Sequence, residues 1–171
     1  MKKTPYSTKK IAFLGLMLAV IVVLLTVERM LPPLPFFPPN FKLGISNIIV
    51  MFAIFFVGTE EAVILGVLKS FFNVLMRGVV GGLLSLVGGM LSIVGIAIFM
   101  WISRRKMSVV SLSIIGAILH NIGQLFVAIL ILRSPQLFML YLPVLIVAGV
   151  ILGTLTGIST KIIMPVLGKL Y

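Results

Sequence analysis

Long apolar runs constrain the fold of this chain more than any other feature of its sequence. The run IAFLGLMLAVIVVLLTV at residues 11–27 contains no charged residue. A helix needs roughly 17 to 25 apolar residues to cross the hydrocarbon core of a bilayer. Several further runs of this kind follow with only brief polar interruptions, and 61% of the 171 residues are hydrophobic. The sequence therefore predicts a multi-pass helical membrane protein.

Prolines, glycines and charged clusters divide the chain into six predicted spans. They cover about residues 11–27, 43–58, 60–77, 83–102, 109–132 and 138–163. We expect one integral membrane domain over residues 1–171, folded as a single all-α bundle of six transmembrane helices. Lysines and arginines between the spans lie mostly on the side that holds the N-terminus, and the positive-inside rule then favours a cytoplasmic N-terminus and C-terminus.

Composition argues against several functional classes. The chain has no cysteine, which removes disulfides and thiolate metal sites. It also has no aspartate and a single histidine, so we expect no metal site and no cofactor. The net charge of +11 does not indicate nucleic acid binding, because the basic residues lie in short turns between apolar runs and form no continuous stripe.

Polar side chains inside three predicted spans mark a candidate binding site. Within each span, residues four apart share one helix face. In the favoured orientation these side chains lie between the membrane midplane and the outer surface. We predict that they line a pocket open to the outside. The predicted residues are Lys42, Ser46, Asn47, Lys69, Asn73, Arg77, His120, Asn121 and Gln124.

Lys69 is the most informative of these residues. A cation near the centre of a transmembrane helix costs on the order of 2.5–3.5 kcal/mol, so Lys69 should face a cavity or a partner. Glu60 and Glu61 lie at the far end of the same span, and Glu28 is expected near the outer surface. The cations Lys42, Lys69 and Arg77 therefore form a predicted cluster without an acidic partner. Such a cluster suits an anionic ligand that carries phosphate or carboxylate.

Structural roles for the same residues remain open. Lys42 and Arg77 can extend their charged ends to the membrane interface. Asparagine and glutamine in a span often hydrogen-bond neighbouring helices. His120 can equally be a structural histidine that bonds a backbone carbonyl.

Small residues form a second pattern, which lets helix backbones approach closely. We interpret two stripes as internal packing surfaces. They are Gly149, Gly153 and Gly157 in the last span, and Ser85, Gly88, Gly89, Ser92 and Gly95 in the fourth. In the first span, Ala12, Gly15 and Ala19 could instead contact a second membrane protein.

The segments KLGISNIIVMFAIFFVGTEEA, GGLLSLVGGMLSIVG and IGAILHNIGQLFVA resemble those of small bacterial membrane proteins known as Gx transporters. These are also labelled heptaprenyl diphosphate synthase component I and are grouped with the substrate-binding (S) components of energy-coupling factor transporters. The resemblance covers about residues 8–165. It implies a six-span protein of the bacterial cytoplasmic membrane that docks onto a transmembrane coupling subunit driven by two ATPase subunits. The docking motif would map to Gly15 and Ala19, with Ala12 one turn earlier.

Three functions stay open at this point. In the first, the chain is an S component that captures a small anionic or amphipathic micronutrient (a vitamin, a flavin or an isoprenoid- or quinone-related precursor) from the outer face. It contains no GxxxxGK[ST] phosphate loop, so partner subunits would supply the ATP hydrolysis. In the second, it is a non-catalytic membrane subunit that assists a heptaprenyl diphosphate synthase in isoprenoid or menaquinone biosynthesis. In the third, it is a membrane scaffold.

Catalysis by the chain itself is not expected. Soluble prenyl transferases hold magnesium against pyrophosphate with aspartate-rich motifs, because hard divalent cations prefer carboxylate oxygens. A chain without aspartate has no such motif. We therefore expect a protein that is not an enzyme.

Overall fold

The computed structural model describes residues 7–30, 44–104 and 106–167, and every regular element in these ranges is a helix. The five helices are α1 (Thr8–Met30), α2 (Asn47–Phe56), α3 (Thr59–Ile102), α4 (Val109–Leu132) and α5 (Gln136–Leu167). Four of them, α1, α3, α4 and α5, are long and apolar enough to cross a membrane. The expectation of an all-α, multi-pass membrane protein is thus confirmed, whereas the count of six transmembrane helices stays a prediction.

Helix α3 contains two of the predicted spans and reverses direction between them. Gly78 interrupts it with φ 77° and ψ 178°, a conformation that essentially only glycine adopts. A methyl group built on Gly82 would lie 3.3 Å from the carbonyl oxygen of Ser70. In a straight helix, residues twelve apart are separated by about 18 Å. The two parts of α3 are therefore antiparallel, and we name them arm 1 (residues 59–77) and arm 2 (residues 79–102).

Helix α2 is shorter than the span predicted at residues 43–58. Its 10 residues extend about 15 Å at 1.5 Å per residue, whereas the hydrocarbon core is about 30 Å thick. Its length alone does not reach across a bilayer, and a full second span over residues 43–58 stays a prediction. Residues 49–54 are all buried, so α2 is a core helix. Its all-round apolar sequence is typical of such a helix as much as of a span.

Helix α1 packs on the bundle through one face. Phe13, Met17, Ile21 and Leu25 follow at four-residue spacing and are buried against α2 and α3. An ion pair joins Lys10 to Glu61 at the beginning of arm 1. We name this side of the bundle the Lys10 end and the opposite side, where α1 finishes, the Glu28 end. Which end faces the cytoplasm stays a prediction.

The glycine stripe of α5 packs against the backbone of α4. A methyl group on Gly149 would lie 2.8 Å from Ile118, and one on Gly157 would lie 2.7 Å from the Cα of Val110. Gly153 lies between them and is as close to α4, with its Cβ position 2.5 Å from Ile114. The interpretation of this stripe as an internal packing surface is confirmed.

Arm 2 approaches α4 in the same way, through part of its predicted stripe. A methyl group on Gly123 of α4 would lie 2.8 Å from the Cα of Gly88, and one on Gly95 would meet the side chain of Leu119. Gly89 has no such neighbour within 4 Å, so it does not belong to the contact. The close approach places His120 of α4 directly beside arm 2, because its carbonyl oxygen lies 2.8 Å from the Cβ position of Gly88.

Candidate functional site

Eight of the nine predicted binding residues lie in the described ranges, and Lys42 lies outside them. Six are buried: Ser46, Lys69, Asn73, His120, Asn121 and Gln124. Asn47 and Arg77 are partly exposed. The polar side chains thus lie inside the bundle and not on its lipid-facing surface.

Five of the predicted residues meet at one internal cavity of about 10 Å³, which we name the Glu28 cavity. Its lining is Glu28, Gly44, Ser46, Lys69, Asn73, Gly81, Leu84, Ser85, His120 and Gln124. These residues come from α1, the beginning of α2, both arms of α3, and α4. The structure therefore brings polar groups of the predicted second, third and fifth spans together, although the space among them is about the size of one water molecule.

Glu28 differs from the sequence-based expectation because it is buried beside the predicted cations. It is only 6% exposed and lines the same cavity as Lys69. Its carboxylate accepts the backbone N–H of Ile45 and the hydroxyl of Ser46 at 3.3 Å. The expectation that Lys69 has no acidic neighbour is therefore wrong, because α1 presents Glu28 on the same face as its buried apolar residues.

These contacts also explain how α2 is held. The carboxylate of Glu28 bonds the residues immediately before the first turn of α2. A helix begins with backbone N–H groups that lack partners inside the helix, and negative charge is favourable there. Glu28 therefore fixes the beginning of a short buried helix, and the residues just before that helix line part of the cavity.

Lys69 faces the interior, as its position near the centre of a span requires. It is 5% exposed, and its ammonium group donates to the side-chain oxygen of Asn47 on α2. The carboxylate of Glu28 acts electrostatically on it. Lys69 therefore has one neutral acceptor and one neighbouring negative charge, and the site as a whole is amphoteric.

His120 and Gln124 form a pair on one face of α4, as their spacing predicts. Their Nε2 atoms are 2.5 Å apart. With the amide of Gln124 donating to the imidazole, the ring proton resides on Nδ1. Among the residues that the structure describes, the Oε1 atom of Gln124 has no hydrogen-bond partner. The pair thus leaves a buried acceptor at the Glu28 cavity.

Asn121 has a structural contact. Its Nδ2 atom donates to the carbonyl oxygen of Leu145 on α5 at 2.9 Å. This is the interhelical hydrogen bond that the sequence analysis kept open for asparagine in a span. Arg77 lines neither cavity described here, although the field of Glu28 reaches it. Both residues are less central to the site than Lys69.

A second cavity of about 20 Å³ adjoins the first on its side toward the Lys10 end, and we name it the Ser113 cavity. It shares Gly44 and His120 with the Glu28 cavity. Its polar lining residues are Asn47, Ser92, Ser113, His120, Asn121 and Thr156. Three of these, Ser92, Ser113 and Thr156, were not predicted as site residues.

A sequence signal for one of the missed residues did exist. Ser113 precedes His120 by seven residues, and a helix returns to nearly the same face after two turns. The pattern Ser113, Gly116, His120 and Gln124 thus describes one polar face of α4. Glu28 carried no such signal, since its burial depends on how the beginning of α2 packs against α1.

The predicted docking residues lie on the opposite face of α1. Ala12, Gly15 and Ala19 are all exposed, and no heavy atom lies within 4 Å of the Cβ position of Gly15. That they contact a partner stays a prediction. In the part of the chain that the structure describes, no three His, Asp or Glu side chains come together as metal ligands.

Comparison with known proteins identifies a family. The family model described as heptaprenyl diphosphate synthase component I matches residues 17–163. No curated protein and no solved structure matches the chain. The matched range includes every residue that lines the two cavities. The chain, with buried polar cavities inside an apolar helical bundle, belongs to the heptaprenyl diphosphate synthase component I family.

Proposed function

We propose that this protein is the S component of an energy-coupling factor-type transporter. It captures a small anionic or amphipathic micronutrient (a vitamin, a flavin or an isoprenoid- or quinone-related precursor) at its outer face. The observation that carries this proposal is the buried Lys69, whose ammonium group lies at an internal polar cavity and bonds a neutral amide. An anion can replace that amide as the partner of Lys69 with a gain in electrostatic energy.

The polar contacts give this exchange a mechanical consequence. Asn47 belongs to the first turn of α2, and its bond to Lys69 helps hold α2 in place. A ligand anion that binds the ammonium group of Lys69 breaks its hydrogen bond to Asn47. Of these polar contacts, the hydrogen bonds from Ile45 and Ser46 to Glu28 then remain. A cavity of about 10 Å³ must widen to admit more than a water molecule. We propose that displacement of the beginning of α2 provides this space.

Energy for transport would come from partner subunits, since the chain has no phosphate loop. We propose that a transmembrane coupling subunit docks on the exposed Ala12, Gly15 and Ala19 of α1 and connects the bundle to two ATPase subunits. Small residues on an exposed helix face permit close backbone contact within a membrane. Docking to a coupling subunit with cytoplasmic ATPase subunits requires that both termini of the chain lie in the bacterial cytoplasm.

The proposal is tested by identifying the small molecule that stays bound during purification in mild detergent, with mass spectrometry. Lys69→Ala and Asn73→Ala should lose this molecule, whereas Lys161→Ala should retain it. Lys161 is a matched control because it is an exposed cation near the end of α5. Equal retention by Lys69→Ala, Asn73→Ala and the unchanged protein would reject the binding site.

The family description favours a second candidate, in which the chain is the non-catalytic membrane subunit of a heptaprenyl diphosphate synthase. A prenyl diphosphate is an anion with a long apolar tail, and its diphosphate could also pair with Lys69. The two candidates differ in their partners. Affinity purification from native membranes should recover ATPase subunits if the transporter proposal is right, and a soluble prenyl synthase if the second candidate is right.

A further inference from the structure

The two cavities are adjoining compartments of one polar interior. Gly44 and His120 line both of them, so the imidazole of His120 stands between the two spaces. The ring is held by Gln124 on the same helix face. A side chain held by a neighbour one turn away can change rotamer without moving the helix backbone. The boundary between the compartments therefore consists of the side chain of His120 and the backbone of Gly44.

The compartments differ in their chemistry. The Glu28 cavity contains the charged side chains Glu28 and Lys69. Among the residues that the structure describes, no charged side chain lines the Ser113 cavity, and its polar groups are hydroxyls and amides, apart from the shared His120. A molecule that extends from one compartment into the other therefore passes from a charged environment into a neutral, hydrogen-bonding one.

Ser113 supplies the evidence that the Ser113 cavity, which we also call the inner compartment, suits a polar group. Its side chain is 1% exposed, and its Oγ atom has no hydrogen-bond partner among the residues that the structure describes. A buried hydroxyl without a partner is unfavourable and gains from any donor or acceptor that reaches it. An isoprenoid tail cannot provide one.

We propose that the Ser113 cavity is a second subsite, which binds an uncharged hydrogen-bonding group of the same ligand whose charged group lies at Lys69. The assignment of the charged group rests on the proposed transport function. Ser113 and Thr156 contact the uncharged group, and the His120–Gln124 pair moves aside when both compartments are filled. The ligand is then a compact polar molecule with heteroatoms at both ends, and a prenyl diphosphate is a poor fit.

The absence of cysteine from the sequence makes a direct test of the subsite possible. Single-cysteine variants Ser113→Cys and Thr156→Cys report on the inner compartment, and Asn73→Cys reports on the Glu28 cavity. Ser70→Cys is the matched control, because Ser70 is 4% exposed, lines neither cavity and bonds the carbonyl of Gly66. Each purified variant is treated with a small methanethiosulfonate, and modification is followed by intact-protein mass spectrometry.

Accessibility is the first readout. Local opening admits reagent to a cavity far more often than to a packed helix contact, so Ser113→Cys and Thr156→Cys should react roughly tenfold faster than Ser70→Cys. His120→Ala should raise both inner rates further and leave the Asn73→Cys rate nearly unchanged. Inner cysteines that react no faster than Ser70→Cys would overturn the subsite.

Ligand chemistry is the second readout, and it uses two neutral reagents of equal size. Hydroxyethyl methanethiosulfonate ends in a hydroxyl, and propyl methanethiosulfonate ends in a methyl group. After normalisation to free cysteine, Thr156→Cys should favour the hydroxyethyl reagent several-fold over the propyl reagent. Adding Ser113→Ala should reduce this preference to the value for Ser70→Cys. A preference for the propyl reagent, or one that survives Ser113→Ala, would contradict the polar subsite.

The outcomes separate this inference from the proposed function. If the inner cysteines react as expected but no small molecule is retained in purification, the subsite stands and the transport proposal fails. If a molecule is retained through Lys69 while Ser113→Cys stays inert, the transport proposal stands and the second subsite is rejected.

Discussion

The carboxylate of Glu28 accepts the hydroxyl of Ser46 at 3.3 Å, and this contact connects the end of α1 to the beginning of α2. The same carboxylate bonds the backbone N–H of Ile45 and acts on the ammonium group of Lys69. One buried acid thus serves both the fold and the charge balance of the site. It couples the position of α2 to whatever Lys69 binds.

We expect Glu28→Ala to destabilise the protein by about 3 to 5 kcal/mol, because removing one member of a buried pair of charges leaves the other uncompensated. Glu28→Gln should cost less, since an amide oxygen can still accept one of the two hydrogen bonds. The measurement is the thermal midpoint of unfolding in detergent. Glu60→Gln is the control, because Glu60 is exposed. If it lowers the thermal midpoint as much as Glu28→Ala does, the stabilising role of Glu28 is contradicted.

Gly78→Ala should destabilise the α3 reversal. The conformation of Gly78, φ 77° and ψ 178°, costs roughly 1–3 kcal/mol for a residue with a side chain. The added methyl group itself meets no atom within 4 Å, so the cost is confined to the backbone. Gly89→Ala provides the comparison, because Gly89 has equally open space inside a regular helix. Equal thermal midpoints for the two variants would show that the reversal does not depend on glycine.

Membrane sidedness can be checked in intact cells with an impermeant thiol reagent. Ser134→Cys lies in the turn between α4 and α5 at the Glu28 end, and Ser108→Cys precedes α4 at the Lys10 end. If both termini are cytoplasmic, Ser134→Cys should be labelled from outside, and Ser108→Cys only after the cells are permeabilised. The reverse pattern would place the Glu28 cavity nearer the cytoplasm and contradict uptake from outside.

Gly15→Leu should separate folding from partner docking. The Cβ position of Gly15 faces open space, so a larger side chain should leave the thermal midpoint and the retained small molecule unchanged. It should sharply reduce copurification of ATPase subunits, because a leucine prevents close approach of a second helix. Val27→Phe is the control, because Val27 is also exposed on α1 but is turned about 120° away from Gly15 around the helix axis. If Gly15→Leu copurifies with as much ATPase subunit as the unchanged protein, the docking surface does not include Gly15.

Much of the fold follows from the sequence because it depends on local patterns. Long apolar runs predict the helices α1, α4 and α5, and four-residue spacing places Lys69 and Asn73 on one interior face. The shortness of α2 could not be predicted in this way, since an apolar run looks alike whether it faces lipid or protein. The predicted spans 60–77 and 83–102 already imply a reversal between them, and the backbone conformation of Gly78 shows where the chain turns.

The charge balance of the site was predictable only in part. Lys69 is recognisable in the sequence as a cation within a predicted span, and its burial follows from the free-energy cost of exposing a cation to lipid. Glu28 lies near the end of the first apolar run, where sequence position favours a surface residue. Its burial results from contacts with Ile45 and Ser46, which come from a separate part of the chain. Such long-range contacts leave no periodic pattern.

The brevity of α2 has an electrical consequence. Helix α2 begins beside the buried Glu28 and Lys69. The macrodipole of a helix contributes up to about half a positive charge at this end. Among the described lining residues, Lys69 and Glu28 carry opposite formal charges, so the dipole adds a partial positive charge to a pair without net formal charge. Under the proposed transport function, a partial charge of this size would favour entry of an anion and still permit its release.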